Sequence, residues 1–143
     1  MFIAPHHRVR RMTVADLDEC KMQAEHAFRK ALPYMDLQGM YDVCVENVDN
    51  MNVLLIRTDH AFGCANIDMT HFEPRPWVHE QWVFGPVWEV IALIREMMLW
   101  RDRIGAFRFT IGSLTEHDFA VIARRLGPHT KVQSYNFDAE EGL

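Results

Sequence analysis

Cysteine is scarce in this 143-residue sequence: there are three, at positions 20, 44 and 64, with no CxxC spacing. An odd, scattered set argues against a disulfide framework or a zinc ribbon and fits a reducing compartment. Serine is scarcer still. Ser113 and Ser134 are the only two, and no GxSxG occurs, which argues against serine hydrolysis. Histidine is plentiful, at eight, yet forms no HExxH or His-x-His unit. His71 and His79 are expected to face each other across the "EPRP" corner, and a metal would still need Asp68 or Glu73 as a third ligand; ordinary surface histidines are the simpler reading, with no metal. No long apolar run is free of charge. The most apolar stretch, 87–104, carries Glu89, Arg95, Glu96, Arg101 and Asp102, which rules it out as a membrane span. The start "MFIAPHHRVRR" has no apolar core of a secretory signal. Positive charge is in deficit, 15 Lys and Arg against 20 Asp and Glu, for a net charge of −5. That argues against general nucleic-acid binding, and the basic cluster at 6–11 reads as a solvated strand start. Together these absences predict a soluble, cytoplasmic protein.

What is present suits one domain spanning 1–143, long enough to bury a core without disulfides or metal. Val9 to Met12 reads as a short strand. Thr13 caps a helix with Asp16 at N3, and Met12 and Leu17 take the two positions of a hydrophobic staple. Leu17, Cys20, Ala24, Ala27, Phe28 and Ala31 recur at helical spacing until Pro33. A second helix starts near Asp36, with Leu37, Met40, Tyr41, Cys44, Val45 and Val48 on its apolar face. "VLLIR", 53–57, is a short branched run and reads as a buried strand. "TDHAFG" reads as a turn. "CANIDMTHF", 64–72, alternates as a strand, and Trp77 to Phe84 makes the third arm of an antiparallel meander.

A long helix follows after only Gly85 and Pro86. Val87, Val90, Ile91, Ile94, Met97, Met98 and Ile104 trace one face, widened by Trp88, Leu93, Leu99 and Trp100, up to the C-cap Gly105. A strand at 106–111, a helix capped by Thr115 with Asp118 at N3 and ended by Gly127, and a last strand at 129–137 complete the order. Residues 138–143 are an acidic tail expected to fray. The order predicts an α/β fold with a mixed sheet, an antiparallel meander followed by a β-α-β crossover at Gly85, flanked by about four helices. Trp77, Trp82, Trp88 and Trp100 are expected to gather at the cleft near that crossover and fill it or form a partner surface, and Met97 and Met98 to fill core.

This order resembles the GNAT superfamily, the acetyl-CoA-dependent N-acetyltransferases, over nearly the whole chain. "VRRMTVADLDEC" looks like the family's opening, a strand with Arg before Thr-x-x-Asp, and "GSLTEHDFAVIARRLG" looks like its late helix before a glycine. The resemblance implies a fourth strand splayed from the fifth, with acetyl-CoA in the gap and its pyrophosphate on the following turn. Val83, Phe84, Gly85, Val87 and Trp88 would then line the cofactor site. Val83 and Phe84 would polarise the thioester carbonyl through their backbone. Glu80 or His79, adjacent on "WVHEQW" and expected on opposite faces, would be the general base that takes the proton from an amine.

The phosphate turn departs from the family's Gln/Arg-x-x-Gly-x-Gly/Ala. "VFGPVWEV" has one glycine and no Arg or Gln, Pro86 removes an N–H, and Trp88 and Glu89 bring bulk and negative charge to the anion's place. The family's Tyr and Asn, four and eleven residues before the late glycine, correspond to Ala123 and Glu116; Tyr135 is the nearest tyrosine to substitute, though an edge-strand aromatic is the plainer reading of it. These departures predict a divergent member with a degraded pyrophosphate turn, weakly catalytic or inactive, that acts by binding another protein. Compact chains of this style resemble proteins of tailed bacteriophages, so the resemblance implies a virion component or a host-takeover protein. The alternative is an active acetyl-CoA-dependent N-acetyltransferase acting on an amine of a protein or small molecule.

Overall fold

Chain order and sheet order coincide. The computed structural model describes residues 7–29, 35–69, 75–112 and 119–132. Its five strands lie side by side as β1 (Arg10–Arg11), β2 (Val53–Arg57), β3 (Phe62–Asp68), β4 (Trp77–Phe84) and β5 (Arg108–Thr110). Neighbours from β1 to β4 pair antiparallel, and β5 joins β4 in parallel. The helices among the described residues are α1 (Val14–Ala27), α2 (Leu37–Asn47), α3 (Val87–Ile104) and α4 (Ala120–Leu126). The expected meander and crossover are both present, with α3 as the crossover helix.

The sheet is buried on both faces, which is why β2 shows no polar alternation. Leu54, Ile56, Ala65 and Val78 pack with Val90, Leu93, Ile94, Met97 and Trp100 of α3. Leu55, Phe62, Cys64 and Phe84 pack with Met12 and with Leu17, Cys20 and Ala24 of α1, while Leu37, Tyr41 and Cys44 of α2 lie against them partly buried. A full burial such as that of Ile94 or Leu93 stabilises by roughly 1.5–3 kcal/mol.

The start of α1 follows the sequence closely. The Thr13 hydroxyl accepts from the Asp16 amide, and the Asp16 carboxylate accepts from the Thr13 amide at 2.7 Å. That carboxylate also binds both terminal nitrogens of Arg10, at 2.7 and 2.8 Å, and Arg57 Nη1 at 3.1 Å. Arg57 is buried and also reaches Glu19. One carboxylate therefore ties β1, α1 and β2 together. Asp36 caps α2 by accepting from the Gly39 amide, as its place before the helix predicts.

Several boundaries differ from the sequence reading. β3 begins at Phe62, so the turn before it is only 58–61, closed by the Thr58 amide on the Ala61 carbonyl. β1 and β5 are each shorter than expected. In α3, Val87, Trp88 and Leu99 are exposed rather than part of the buried face, because Val87 and Trp88 precede the packed face, which starts at Glu89 and Val90, and Leu99 lies off it. Residues 129–132 are not strand, and the rest of the expected last strand lies outside the described residues, as do Thr115, Asp118, Glu116, Tyr135, Pro33, His71, Glu73 and the tail.

Candidate active site

β4 and β5 stay together for only three pairs, Trp77↔Arg108, Val78↔Phe109 and His79↔Thr110. β4 then runs on from Glu80 to Phe84 with no β5 partner. The cause lies on its other edge. Against β3, Trp82 pairs with Cys64 and Glu80 with Ala65, so Gln81 is an extra residue without a partner. Such a bulge bends and twists its strand, and β4 leaves β5 at that point. The Gln81 side-chain amide is held by Asn66 Oδ1 at 2.5 Å. Sequence alternation alone missed the bulge. Its trace is that Val78 and Val83, of opposite parity, both pack on the α3 side of the sheet.

The candidate bases sit at this vertex. Burial pushes the Glu80 carboxyl up to about 7, against the pull of the Gly112 amide, which donates to its Oε1 at 3.2 Å. His79 Nδ1 lies 2.6 Å from Thr110 Oγ1, and its Nε2 faces Asp68 Oδ2 at 3.6 Å, beyond hydrogen-bond reach. Its ring also leans on Trp77, with centroids 5.5 Å apart. Thr110 carries no motif in sequence; only the parallel register of β5 brings it to His79.

What the turn after β4 presents depends on where its side chains go. Pro86 is the N-cap of α3, so its missing N–H precedes the helix. The helical ladder starts at the Val90 amide on the Pro86 carbonyl, and among the described residues the amides of Val87, Trp88 and Glu89 have no helical acceptor or side-chain cap. The Glu89 side chain turns away from these amides. It is buried, and its carboxylate accepts from the His60 amide at 2.9 Å. Burial opposes its ionisation, but the His60 amide and the Thr58 hydroxyl outweigh that and hold the carboxyl below its ordinary range. Trp88 leans towards α4, where the Arg125 guanidinium lies 4.6 Å from its ring centre. Arg125 supplies a cation beside the helix start that the turn's own sequence lacks. Gly85, at φ +132, passes so close to the β2–β3 turn that a Cβ would meet Ala61 Cα at 2.6 Å.

The side chains of Val83 and Phe84 are committed to the two cores. Val83 packs its side chain on the α3 core, and Phe84 lies 5.2 Å from Phe28 and 5.5 Å from Phe62, ring to ring. The four tryptophans do not gather as expected, because they fall on different layers. Trp77 sits at the paired end of β4 against Phe107, Trp82 beside Phe84, Trp88 in solvent and Trp100 in the α3 core. Burial pushes the Cys20 thiol up to about 12 and raises Cys64 as well, so neither is an activated nucleophile. Among the described residues no cluster of three or more His, Cys, Asp or Glu could hold a metal ion. No helix among them is long and apolar enough to cross a membrane.

No family model matches the sequence, and no curated protein sequence matches it. Solved structures do. The chain is similar to a putative acetyltransferase from Arthrobacter sp. FB24, with a TM-score of 0.75 at 13% identity over 98% of this chain and 100% of that one. It is similar to an aminoglycoside 6'-N-acetyltransferase from Acinetobacter baumannii, with a TM-score of 0.70 at 12% identity over 96% and 100%. A transcriptional regulator from Bacillus halodurans C-125 gives a TM-score of 0.75 at 12% identity over 94% and 100%.

Proposed function

We propose that this chain, which has the fold of the GNAT acetyltransferases, transfers an acyl group from acetyl-CoA or a related acyl-CoA to an amine. The observation that carries the reading is the opening of the sheet at a bulge with a carboxylate of raised pKa beside it. The residues fit the donor. Among the described residues, the edge of β4 from Glu80 to Phe84 is unpaired and suits an amide-bearing arm, and three uncapped amides with Arg125 nearby suit a pyrophosphate. The thioester would supply the activated acyl carbon.

Glu80 is assigned the base, because at pH 7 a carboxyl poised near 7 is both partly ionised and basic enough to take a proton. Removing the proton from an ammonium gives the neutral amine its lone pair for attack. Of Val83 and Phe84, whose N–H groups point to opposite edges of the strand, the one facing away from β3 is assigned to the developing oxyanion. His79 is left out of this step, since its Nδ1 is held by Thr110 and its Nε2 faces the Asp68 carboxylate.

A second reading, a non-catalytic member that binds another protein, draws on α2, which has no fully buried residue and leaves Val43 and Val45 exposed. The virion or host-takeover role implied by sequence style belongs to that reading.

Calorimetric titration with acetyl-CoA separates the two. Binding in the micromolar range, weakened about tenfold in Arg125→Ala, supports the transferase; the loss corresponds to one charged contact of about 1.4 kcal/mol. No heat at millimolar acetyl-CoA would overturn it and direct the search to protein partners.

A further inference from the structure

Thr110 and His79 have no part in acylation of an amine by Glu80, yet their side chains meet at 2.6 Å beside the vertex. We propose that the Thr110 hydroxyl is itself an acyl acceptor, with His79 as its base and Asp68 as the carboxylate that orients the imidazole. This inference rests on the acyltransferase reading only for its natural donor, an acyl thioester.

Asp68 Oδ2 stands 3.6 Å from Nε2 of His79, which favours the tautomer with its proton on Nε2. In that tautomer the Nδ1 lone pair faces Thr110 Oγ1 at 2.6 Å, and the hydroxyl donates to it. A nucleophile, a base within hydrogen-bond reach and a third group orienting the base is the arrangement that activates hydroxyls for covalent catalysis. The three residues stand on β3, β4 and β5, strands rather than loops, and the Trp77 ring lies against the imidazole. Thr110 is the last residue of β5 and His79 its register partner, so the hydroxyl stands where the sheet opens, one residue from Glu80. Both are only partly buried, and Asp68 is exposed, which leaves the group open to a donor.

In the step, Thr110 Oγ bonds to the acyl carbon while its proton passes to His79 Nδ1. The carbon–sulfur bond breaks, and the leaving thiolate takes that proton and departs as the thiol. Thr110 then carries an ester. An amine or water attacks it and returns the hydroxyl, so each turnover is closed with no oxidant or reductant.

The full chain is mixed separately with p-nitrophenyl acetate and with acetyl-CoA, quenched in acid, digested and read by tandem mass spectrometry. One acetyl group on Thr110 is expected with both donors. It should vanish in Thr110→Val, persist in Thr110→Ser and fall at least about tenfold in His79→Gln. Circular dichroism checks each variant; if Thr110→Val does not fold, the serine and glutamine variants decide. Modification of Thr110 by the nitrophenyl ester alone keeps the inference and counts against the CoA reading. Acetyl-CoA binding with amine acetylation, but with Thr110 unmodified by both donors, keeps the CoA reading and overturns the inference. Acetylation confined to lysines overturns it too.

Discussion

Glu80 is the residue where chemistry and stability pull against each other. Its carboxyl is held near pH 7 because burial penalises its charge more than the Gly112 amide favours it. As the proposed base it would work only when ionised, so the proposed acyl transfer to an amine should rise through about pH 7 on the acid limb, and Glu80→Gln should lower kcat by about 100-fold or more with little change in acetyl-CoA binding. A rate profile from pH 5 to 9 checks this. An unchanged kcat in Glu80→Gln would remove Glu80 from the mechanism. Stability moves the opposite way. A carboxyl raised in the folded state keeps its proton between about pH 4.5 and 7 while the unfolded chain releases it, so folding weakens as pH climbs through that window. Glu80→Gln should therefore gain stability relative to the parent by roughly 1–3 kcal/mol between pH 5 and 8, read from denaturant melts at the two pH values. The residue was legible in sequence as one of two candidates on β4. That Thr110, 31 residues away along the chain, stands against His79 was not legible.

At the scale of elements, the β4–Gly85–α3 junction shows how local signals and packing combine. A glycine and proline between an apolar strand and a helical pattern announce the turn from sequence alone. What the turn presents depends on its neighbours. By sequence, Glu89 brings negative charge to the start of α3, but the 58–61 turn offers it an amide and a hydroxyl, and it is drawn back there. Gly85 is required by both its φ of +132 and its approach to Ala61 and the His60 carbonyl. Gly85→Ala should cost about 2–4 kcal/mol, since the backbone it meets cannot yield as a side-chain end can. A melt that leaves this variant within about 0.5 kcal/mol of the parent, the ordinary range for surface changes, would show that the turn has another conformation open to it. The bulge at Gln81 belongs to the same scale. A strand reading assumes period two, and one inserted residue reverses the faces beyond it.

At the scale of the molecule, one buried carboxylate joins three segments of chain. Asp16 is held well below the usual carboxylate range by Arg10, with the Thr13 amide and hydroxyl adding to it and burial opposing. A depressed folded pKa contributes stability above the unfolded value near 4 and loses it as pH falls through the folded one. Asp16→Asn should therefore cost about 2–4 kcal/mol at pH 7, because buried Arg57 loses a partner, and much less near pH 2. Equal losses at both pH values, by chemical denaturation, would show that the network stabilises through shape rather than charge. The sequence by itself determined the elements whose cause is local: the Thr13–Asp16 box, the Asp36 cap, the doubly buried β2 and the amphipathic α3, since periodicity and capping need only near neighbours. It also carried the strand order through its short connections and one helical crossover. Only the tertiary structure decided the site. The departure of β4 from β5, the pairing of Thr110 with His79, the arrival of Arg125 beside Trp88 and the withdrawal of Glu89 all join residues far apart along the chain. Their geometry comes from register and burial, which no window of sequence contains.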